Sequence, residues 1–210
     1  VFEHPVAAEV LPAYHEGYPA IGLSELDPKA GEALKHAKYA LLIDAGSSGS
    51  RLRMYDVRSG VKAIVPTDED DEADAFKTKP GISDYADRMD QIGKDLLEGP
   101  IQSAKRYIQK EDYDKTVLWI RATAGMRTLD TEVVDQLFTE VTAWMEDKSN
   151  CPFAFQDAEV LSGEMEGLLA YLSMNYLKGS LFSSEEDLVG VLDMGGASMQ
   201  IAHKPDHFVL

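Results

Sequence analysis

The strongest indication of the fold is the stretch Leu42-Ile43-Asp44-Ala45-Gly46-Ser47-Ser48-Gly49-Ser50. Its first residues end an apolar run, Tyr39 to Asp44, which predicts a strand covered on both faces of a sheet. Small residues that favour turns follow the aspartate. Apolar and charged residues then alternate from Arg51 to Val57, which predicts a second strand. We therefore expect a β-hairpin whose connection consists of small residues.

The same pattern occurs a second time near the end of the chain. Leu42-Ile43-Asp44-Ala45-Gly46 corresponds to Val191-Leu192-Asp193-Met194-Gly195, which lies 149 residues further along (193 minus 44). The small residues after the second copy are Gly196-Ala197-Ser198. Small side chains allow several N–H groups to point at one anion, and an aspartate at a strand end suits the water shell of a divalent cation. Two such hairpins facing each other predict a clamp for a polyphosphate.

Two further motifs lie between these copies. Arg121-Ala122-Thr123-Ala124-Gly125-Met126-Arg127 follows a predicted strand and precedes a predicted helix. It places a hydroxyl and small residues at the carboxyl end of a strand, where ligands bind in open α/β sheets. Leu161 to Gly167 marks another strand-to-helix turn. Glu164 and Glu166 in that turn do not share a helix face, so only one is expected to point into a site.

Hydrophobic periodicity predicts strands that alternate with helices along the rest of the chain. The predicted helices cover residues 84–98, 100–109, 131–146 and 164–177, with a short one around 30–37. The predicted strands after the first hairpin cover residues 116–121, 188–193 and 199–203. Gly99-Pro100 is expected to separate the first two long helices, with Pro100 in the first turn of the second. This alternation predicts an α/β fold.

Composition excludes several other classes of protein. The chain has 210 residues, and 20 Lys and Arg against 37 Asp and Glu give a net charge of −17. Because no basic stripe could displace counterions, neither nucleic acid nor an anionic membrane surface is expected as a partner. Cys151 is the one cysteine, so no intramolecular disulfide can form, and it is expected to be a buried, unreactive side chain. The acidic run 68–74 is predicted to be a solvated loop rather than a calcium site.

At these four motifs the sequence resembles the apyrase family, the nucleoside triphosphate diphosphohydrolases. The matching regions are Ile43–Arg51, Ala122–Arg127, Gly163–Gly167 with Asn175-Tyr176-Leu177, and Leu192–Gln200. The resemblance implies an actin-like fold with two ribonuclease-H-like lobes and an active site between them. The chain departs from the family pattern at Ala170-Tyr171, where Gly and Trp are usual, and at Met199, where Thr is usual.

The resemblance also implies roles for individual residues. Glu166 would be the general base that activates the attacking water, and Ser198 and Gln200 would help to hold that water. Asp44 and Asp193 would hold waters of a bound Mg²⁺ or Ca²⁺. The groups that would bind phosphate or line its site are Ser47, Ser48, Gly49, Ser50, Thr123, Gly195, Gly196 and Ala197.

The function expected from this resemblance is metal-dependent hydrolysis of nucleoside tri- and diphosphates to the monophosphate and phosphate. One alternative is an exopolyphosphatase or guanosine-pentaphosphate hydrolase, which shares the fold and the Asp-x-Gly loops, although its second motif usually differs from Ala122–Arg127. A further alternative, from a different class, is an inactive nucleotide-binding fragment. The base preference, the choice between ATP, ADP and GDP, and the oligomeric state are not determined by the sequence.

The predicted organisation has three parts: an irregular leader (1–38), a first actin-like lobe (39–162) and the beginning of a second lobe (163–210). The resemblance places the fifth family region and most of the second lobe after Leu210. We therefore expect that activity requires that C-terminal portion or another copy of the chain. The first residue is Val1, which is compatible with a removed leader. From the family resemblance alone, the expected location is outside the cell or in the secretory lumen.

Overall fold

The structure, a computed structural model, describes residues 28–58, 62–64, 77–182 and 187–204. The strands of its main sheet are β1 (Tyr39–Gly46), β2 (Gly49–Asp56), β3 (Lys62–Ala63), β4 (Lys77–Thr78), β5 (Thr116–Ala122) and β6 (Ala154–Val160). Their order in the sheet is β3-β2-β1-β5-β6, and β4 also pairs with β2. β1 is antiparallel to β2 and parallel to β5, and β5 is parallel to β6. The carboxyl ends of β1, β5 and β6 therefore meet at one edge.

The structure also describes five helices, two of which begin within predicted motifs. They are α1 (Pro28–Leu34), α2 (Glu98–Tyr107), α3 (Ala124–Arg127), α4 (Thr131–Glu146) and α5 (Gly163–Leu177). Short 3-10 turns occur at Ile82–Tyr85, Met89–Gln91, Lys110–Lys115 and Ser180–Phe182, and a π-helical turn at Gly93–Leu97. α4 has the predicted bounds, and α5 begins one residue before the predicted start.

The hydrophobic core lies on one face of the main sheet. Leu41 and Ile43 of β1 are fully buried, and their parallel neighbours in β5, Leu118 and Ile120, are buried beside them. Helical residues from 82–108 and from α4 pack against this face. The prediction that β1 is covered on both faces is wrong for the described residues, because Leu42 on the opposite face is only half-buried.

Two other predictions about local structure change. The interruption predicted at Gly99-Pro100 is wrong, because the π-helical turn runs directly into α2. The prediction that Pro100 lies in the first turn of the second helix, where a missing N–H costs little, is confirmed. The strand predicted over 188–193 is β7 (Val191–Met194), and β8 is Met199–Ala202. The acidic run 68–74 and most of the leader 1–38 lie outside the described residues.

The second sheet is separate from the first and consists of the antiparallel pair β7 and β8. α5 packs on one face of this pair, since a β-carbon placed on Gly167 would lie 3.5 Å from Cβ of Gln200. All strands of the main sheet lie between residues 39 and 160, and α5, β7 and β8 follow residue 162. The division into lobes at about residue 162 stays a prediction.

Candidate functional site

The first hairpin has a connection of two residues. Gly46 pairs with Gly49 and Asp44 pairs with Arg51, so that Ser47 and Ser48 form the tip. Gly49 has a φ of 149°, and a β-carbon there would lie 2.5 Å from the carbonyl oxygen of Thr78. Only glycine fits this position without displacing β4. The close packing of β2 against β4 therefore requires glycine at position 49, independently of any role in ligand binding.

The second hairpin repeats the register of the first. Asp193 pairs with Gln200, seven positions later, just as Asp44 pairs with Arg51. The N–H of Gly195 donates to the carbonyl of Ser198 at 2.9 Å, which closes the turn that contains Gly196 and Ala197. The sequence repeat is therefore also a repeat of structure, in which an aspartate occupies the same place in each hairpin.

The tips of the two hairpins lie against each other. A β-carbon on Gly196 would be 3.0 Å from Oγ of Ser47 and 4.0 Å from Oγ of Ser48. The turn between β5 and α3 meets the same place, since a β-carbon on Gly125 would be 3.1 Å from Cα of Ser47. Larger residues at these glycines would separate the loops. The arrangement thus brings hydroxyl groups and small loops from three motifs into one region.

Asp44 has an electrostatic environment that a cation would relieve. Partial burial raises the pKa of its carboxyl, and the negative charge of Asp193 raises it further. The guanidinium groups of Arg51 and Arg53 oppose this change in the pKa of Asp44. The two hairpin aspartates are therefore close enough for their charges to interact, although they are far apart in sequence.

Glu166, in the first turn of α5, is bound by groups from two other elements. Its Oε2 forms an ion pair with Nη1 of Arg127 from α3, and it accepts a hydrogen bond of 3.3 Å from Nε2 of Gln200 in β8. The side chain of Glu166 is 12% exposed, whereas Glu164 is exposed. As predicted from their helical spacing, only one of the two glutamates faces the other site residues.

The remaining predicted residues have different surroundings. The N–H of Thr123 donates to the carbonyl of Ala45 at 3.3 Å, which places Thr123 beside the first hairpin. Ser198 is half-buried, and Gly195 and Ala197 are exposed at the second tip. The Ser50 side chain is fully buried on the core face with Leu52, and among the described residues its Oγ has no hydrogen-bond partner. The hydroxyl of Ser50 thus lies in the core, while its backbone pairs with Ala45 and Thr78.

A buried asparagine holds the segment that leads into β7. Asn175 is fully buried, and its Nδ2 donates to the carbonyls of Tyr171 at 2.9 Å and Val189 at 3.0 Å. Its Oδ1 accepts from the N–H of Val189 at 2.9 Å and from Oγ of Ser180 at 3.0 Å. Every polar atom of the side chain is therefore used to connect α5 with the strand that carries Asp193.

Sequence reasoning assigned no role to Arg127 or Asn175, although both lie in recognised motifs. Their partners are 39 and 14 residues away, so spacing along a helix or strand could not reveal them. Both are polar residues in specific motifs, and neither was given a function there. That was the signal in the sequence that could have indicated a role for them. Ser83 was also missed; a β-carbon on Gly125 would lie 2.8 Å from its Oγ.

The residues present fit a hard divalent cation held through water. Asp44 and Asp193 supply carboxylate oxygens, which Mg²⁺ and Ca²⁺ prefer, and the raised pKa of Asp44 reflects first its partial burial and then the nearby charge of Asp193. Within 28–58, 62–64, 77–182 and 187–204, no three His, Cys, Asp or Glu side chains come together as a direct ligand set.

The fold and these loops define an α/β protein with an actin-like fold. A solved structure titled as nucleoside triphosphate hydrolases from Neospora caninum superimposes with a TM-score of 0.52 at 18% identity, covering 90% of this chain and 43% of that one. At that identity the similarity shows the fold alone. It agrees with the fold class expected from the sequence.

The chain belongs to the GDA1/CD39 (nucleoside phosphatase) family, whose model matches residues 32–209. It is 34% identical over 169 residues to mouse ectonucleoside triphosphate diphosphohydrolase 5, covering 80% of this chain and 38% of the mouse protein. It is 35% identical over 181 residues to the Golgi apyrase of Schizosaccharomyces pombe, covering 79% of this chain and 31% of the yeast protein. The chain thus spans about 38% of the mouse relative's length.

Proposed function

We propose that this chain contributes the phosphate-binding and water-activating groups of a metal-dependent hydrolase of nucleoside tri- and diphosphates. Its family and the names of its relatives support hydrolysis of nucleotides. The observation that carries the proposal is the meeting of the two hairpin tips at Ser47 and Gly196, with Glu166 nearby through Gln200. Anion-binding loops and a carboxylate are the parts that phosphoryl transfer to water requires.

The hairpins would hold the phosphates between them. The hydroxyls of Ser47 and Ser48 and the N–H groups of residues 47–50 would bind one phosphate. The N–H groups of Gly195, Gly196 and Ala197 would bind from the opposite side, and Thr123 would line the same site. Loops of small residues allow close approach of the backbone to an anion, which a larger side chain would prevent.

Glu166 would act as general base. An attacking water would donate a proton to its carboxylate while the water oxygen forms a bond to the terminal phosphorus, and the bond from phosphorus to the bridging oxygen would break. The products would be phosphate and a nucleotide shorter by one phosphate. Ser198 and Gln200 would help to orient the water, and a positioned base of this kind contributes about 10²–10⁴-fold to the rate.

Asp44 and Asp193 would hold Mg²⁺ or Ca²⁺ through its water shell. When bound, the ion would neutralise charge on the phosphate oxygens. The two aspartates would keep it at the junction of the hairpins, where both sides of the phosphate chain can reach it.

The test is phosphate release from ATP, ADP, GDP and inorganic polyphosphate, each with Mg²⁺, Ca²⁺ or EDTA. The longest form of the protein that its gene encodes should be compared with the 210-residue chain. We expect nucleotide hydrolysis that EDTA abolishes. Hydrolysis of polyphosphate but not of nucleotides would favour the exopolyphosphatase alternative. No metal-dependent hydrolysis by a folded sample would favour the nucleotide-binding alternative.

We also propose a location and a partner. The yeast relative is named a Golgi apyrase, which supports a place in the secretory pathway or outside the cell. No helix within the described residues is long and apolar enough to cross a membrane. The partner of the exposed second sheet would be a portion of protein corresponding to the rest of its relatives' length, or another copy of this chain.

A further inference from the structure

The carboxylate of Glu166 is bound asymmetrically. Both donors that contact it, Nη1 of Arg127 and Nε2 of Gln200, bind Oε2. Among the described residues, no protein donor bonds to Oε1. A carboxylate held at one oxygen leaves the other oxygen oriented and able to accept a hydrogen bond from water.

Arg127 is itself held in place. The same Nη1 donates to the carbonyl of Leu161 at 2.6 Å, at the junction between β6 and α5. Only 27% of the Arg127 side chain is exposed. The guanidinium therefore binds both the chain entering α5 and the first turn of that helix. An arginine with several rigid donors can orient two acceptors in this way, which the single ammonium of lysine does less well.

The pair joins elements that belong to different sheets. Arg127 ends α3, which follows β5 of the main sheet, whereas Glu166 lies on α5 and contacts β8 of the second sheet. In the described residues this ion pair is a direct polar connection between the motif Ala122–Arg127 and the proposed base. Its geometry sets the position of Glu166 relative to Thr123 and the first hairpin.

We propose that Arg127 is the positioning residue of this site: it fixes Oε2 of Glu166, so that Oε1 is the oxygen that accepts the proton of the attacking water. The proposal rests on the proposed hydrolytic function. It assigns Arg127 no contact with the nucleotide. Loss of Arg127 should therefore lower kcat by misorienting the base and leave KM nearly unchanged, because a displacement of about 1 Å can cost about 10²-fold in rate.

The test compares R127Q and R127K with R58Q in the longest encoded form of the protein. Arg58 pairs with Asp56 at the end of β2 remote from the hairpin tip, so R58Q removes a similar ion pair away from the site. We expect kcat to fall about 10²-fold in R127Q, with KM within about threefold of the wild-type value. R127K should recover part of the loss, and R58Q should match the wild type.

Two kinetic results would overturn the proposal. One is a kcat for R127Q within about threefold of wild type; the other is a rise in KM at constant kcat, which would mean that Arg127 binds the nucleotide. Circular dichroism and thermal unfolding show whether R127Q folds. If R127Q does not fold, the kcat and KM of R127K decide by the same two criteria.

A second measurement separates this proposal from the proposed function. If the wild type hydrolyses nothing, the proposed function fails, but hydrogen exchange still reports on the position of α5. Amides of residues 163–167 should then exchange faster in R127Q than in the wild type and in R58Q. Equal exchange in all three proteins would show that Arg127 does not hold this turn.

Discussion

Glu166 lies where α3, α5 and β8 meet, and its carboxylate contacts both the guanidinium of Arg127 and the side-chain amide of Gln200. We expect Glu166→Gln to lower kcat by about 10²–10⁴-fold, because the amide cannot accept the proton of water. Binding of a non-hydrolysable nucleotide should be largely retained, which calorimetry would measure.

Glu164→Gln is the matched control for that substitution. Glu164 lies two residues earlier on the same helix, but it is exposed and interacts with the Ser162 cap. Its variant should keep kcat within about threefold of wild type. If instead Glu166→Gln is nearly as active as wild type and Glu164→Gln is not, Glu164 is the base.

The two hairpin aspartates should behave alike, because they occupy equivalent places in the same register. Asp44→Ala and Asp193→Ala should each raise the metal concentration needed for half-maximal activity by about 10–100-fold, the usual effect of removing a group that orients metal-bound water. Titration of activity with Mg²⁺ and Ca²⁺ measures this. Asp56→Ala, at the far end of β2, is the control. If loss of Asp44 or Asp193 leaves the metal requirement unchanged, that aspartate only stabilises its turn.

At the scale of elements, Asn175 connects α5 to the segment before β7. Its replacement by alanine leaves the backbone groups of Val189 and the hydroxyl of Ser180 without this partner in a buried place. We expect Asn175→Ala to reduce the free energy of unfolding by about 3 kcal/mol. Because β7 carries Asp193, activity should fall as well.

Urea denaturation and hydrogen exchange at residues 187–190 measure the effect of Asn175→Ala. Asn150→Ala is the control, since the Asn150 side chain forms one long hydrogen bond, 3.4 Å to the carbonyl of Trp144. That variant should lose less than about 1 kcal/mol. Equal losses in the two variants would show that the network around Asn175 does not stabilise the second sheet.

At the scale of the whole molecule, the described residues cover the second sheet on one face only. α5 packs beside Gln200 and Ala202, whereas the opposite face presents the side chains Leu192 (57% exposed), Met194 (73%), Met199 (60%) and Ile201 (69%). We call these four side chains the hairpin apolar face. Burying one such side chain is worth about 1.5–3 kcal/mol, so this face favours association.

The isolated 210-residue chain should therefore self-associate as its concentration rises, and it should hydrolyse nucleotides poorly compared with the longest encoded form. Light scattering after size exclusion measures the first property, and phosphate release measures the second. Leu192→Ser with Ile201→Ser should reduce association more than Leu177→Ser, which changes a residue on α5 that is 73% exposed. A monomeric chain with full, base-selective turnover would contradict this expectation.

The sequence by itself determined the elements and the chemistry that local patterns encode. The repeated Asp-x-Gly turns appeared as a structural repeat with identical register, and the period of α4 predicted Thr131–Glu146 to the residue. Such features depend on turn preferences and on hydrophobic spacing, and both are determined by residues that are close together in the sequence. The α/β class followed from their order.

Tertiary structure alone decided which distant groups meet. Sequence spacing gave no basic neighbour for Glu166, yet Arg127 lies against it across 39 positions. The half-exposed face of β1 and the buried hydroxyl of Ser50 were likewise invisible, because strand alternation does not say what covers each face. Contacts between elements depend on the packing of whole sheets and helices, and that packing brought Ser47 of the first hairpin against Gly196 of the second.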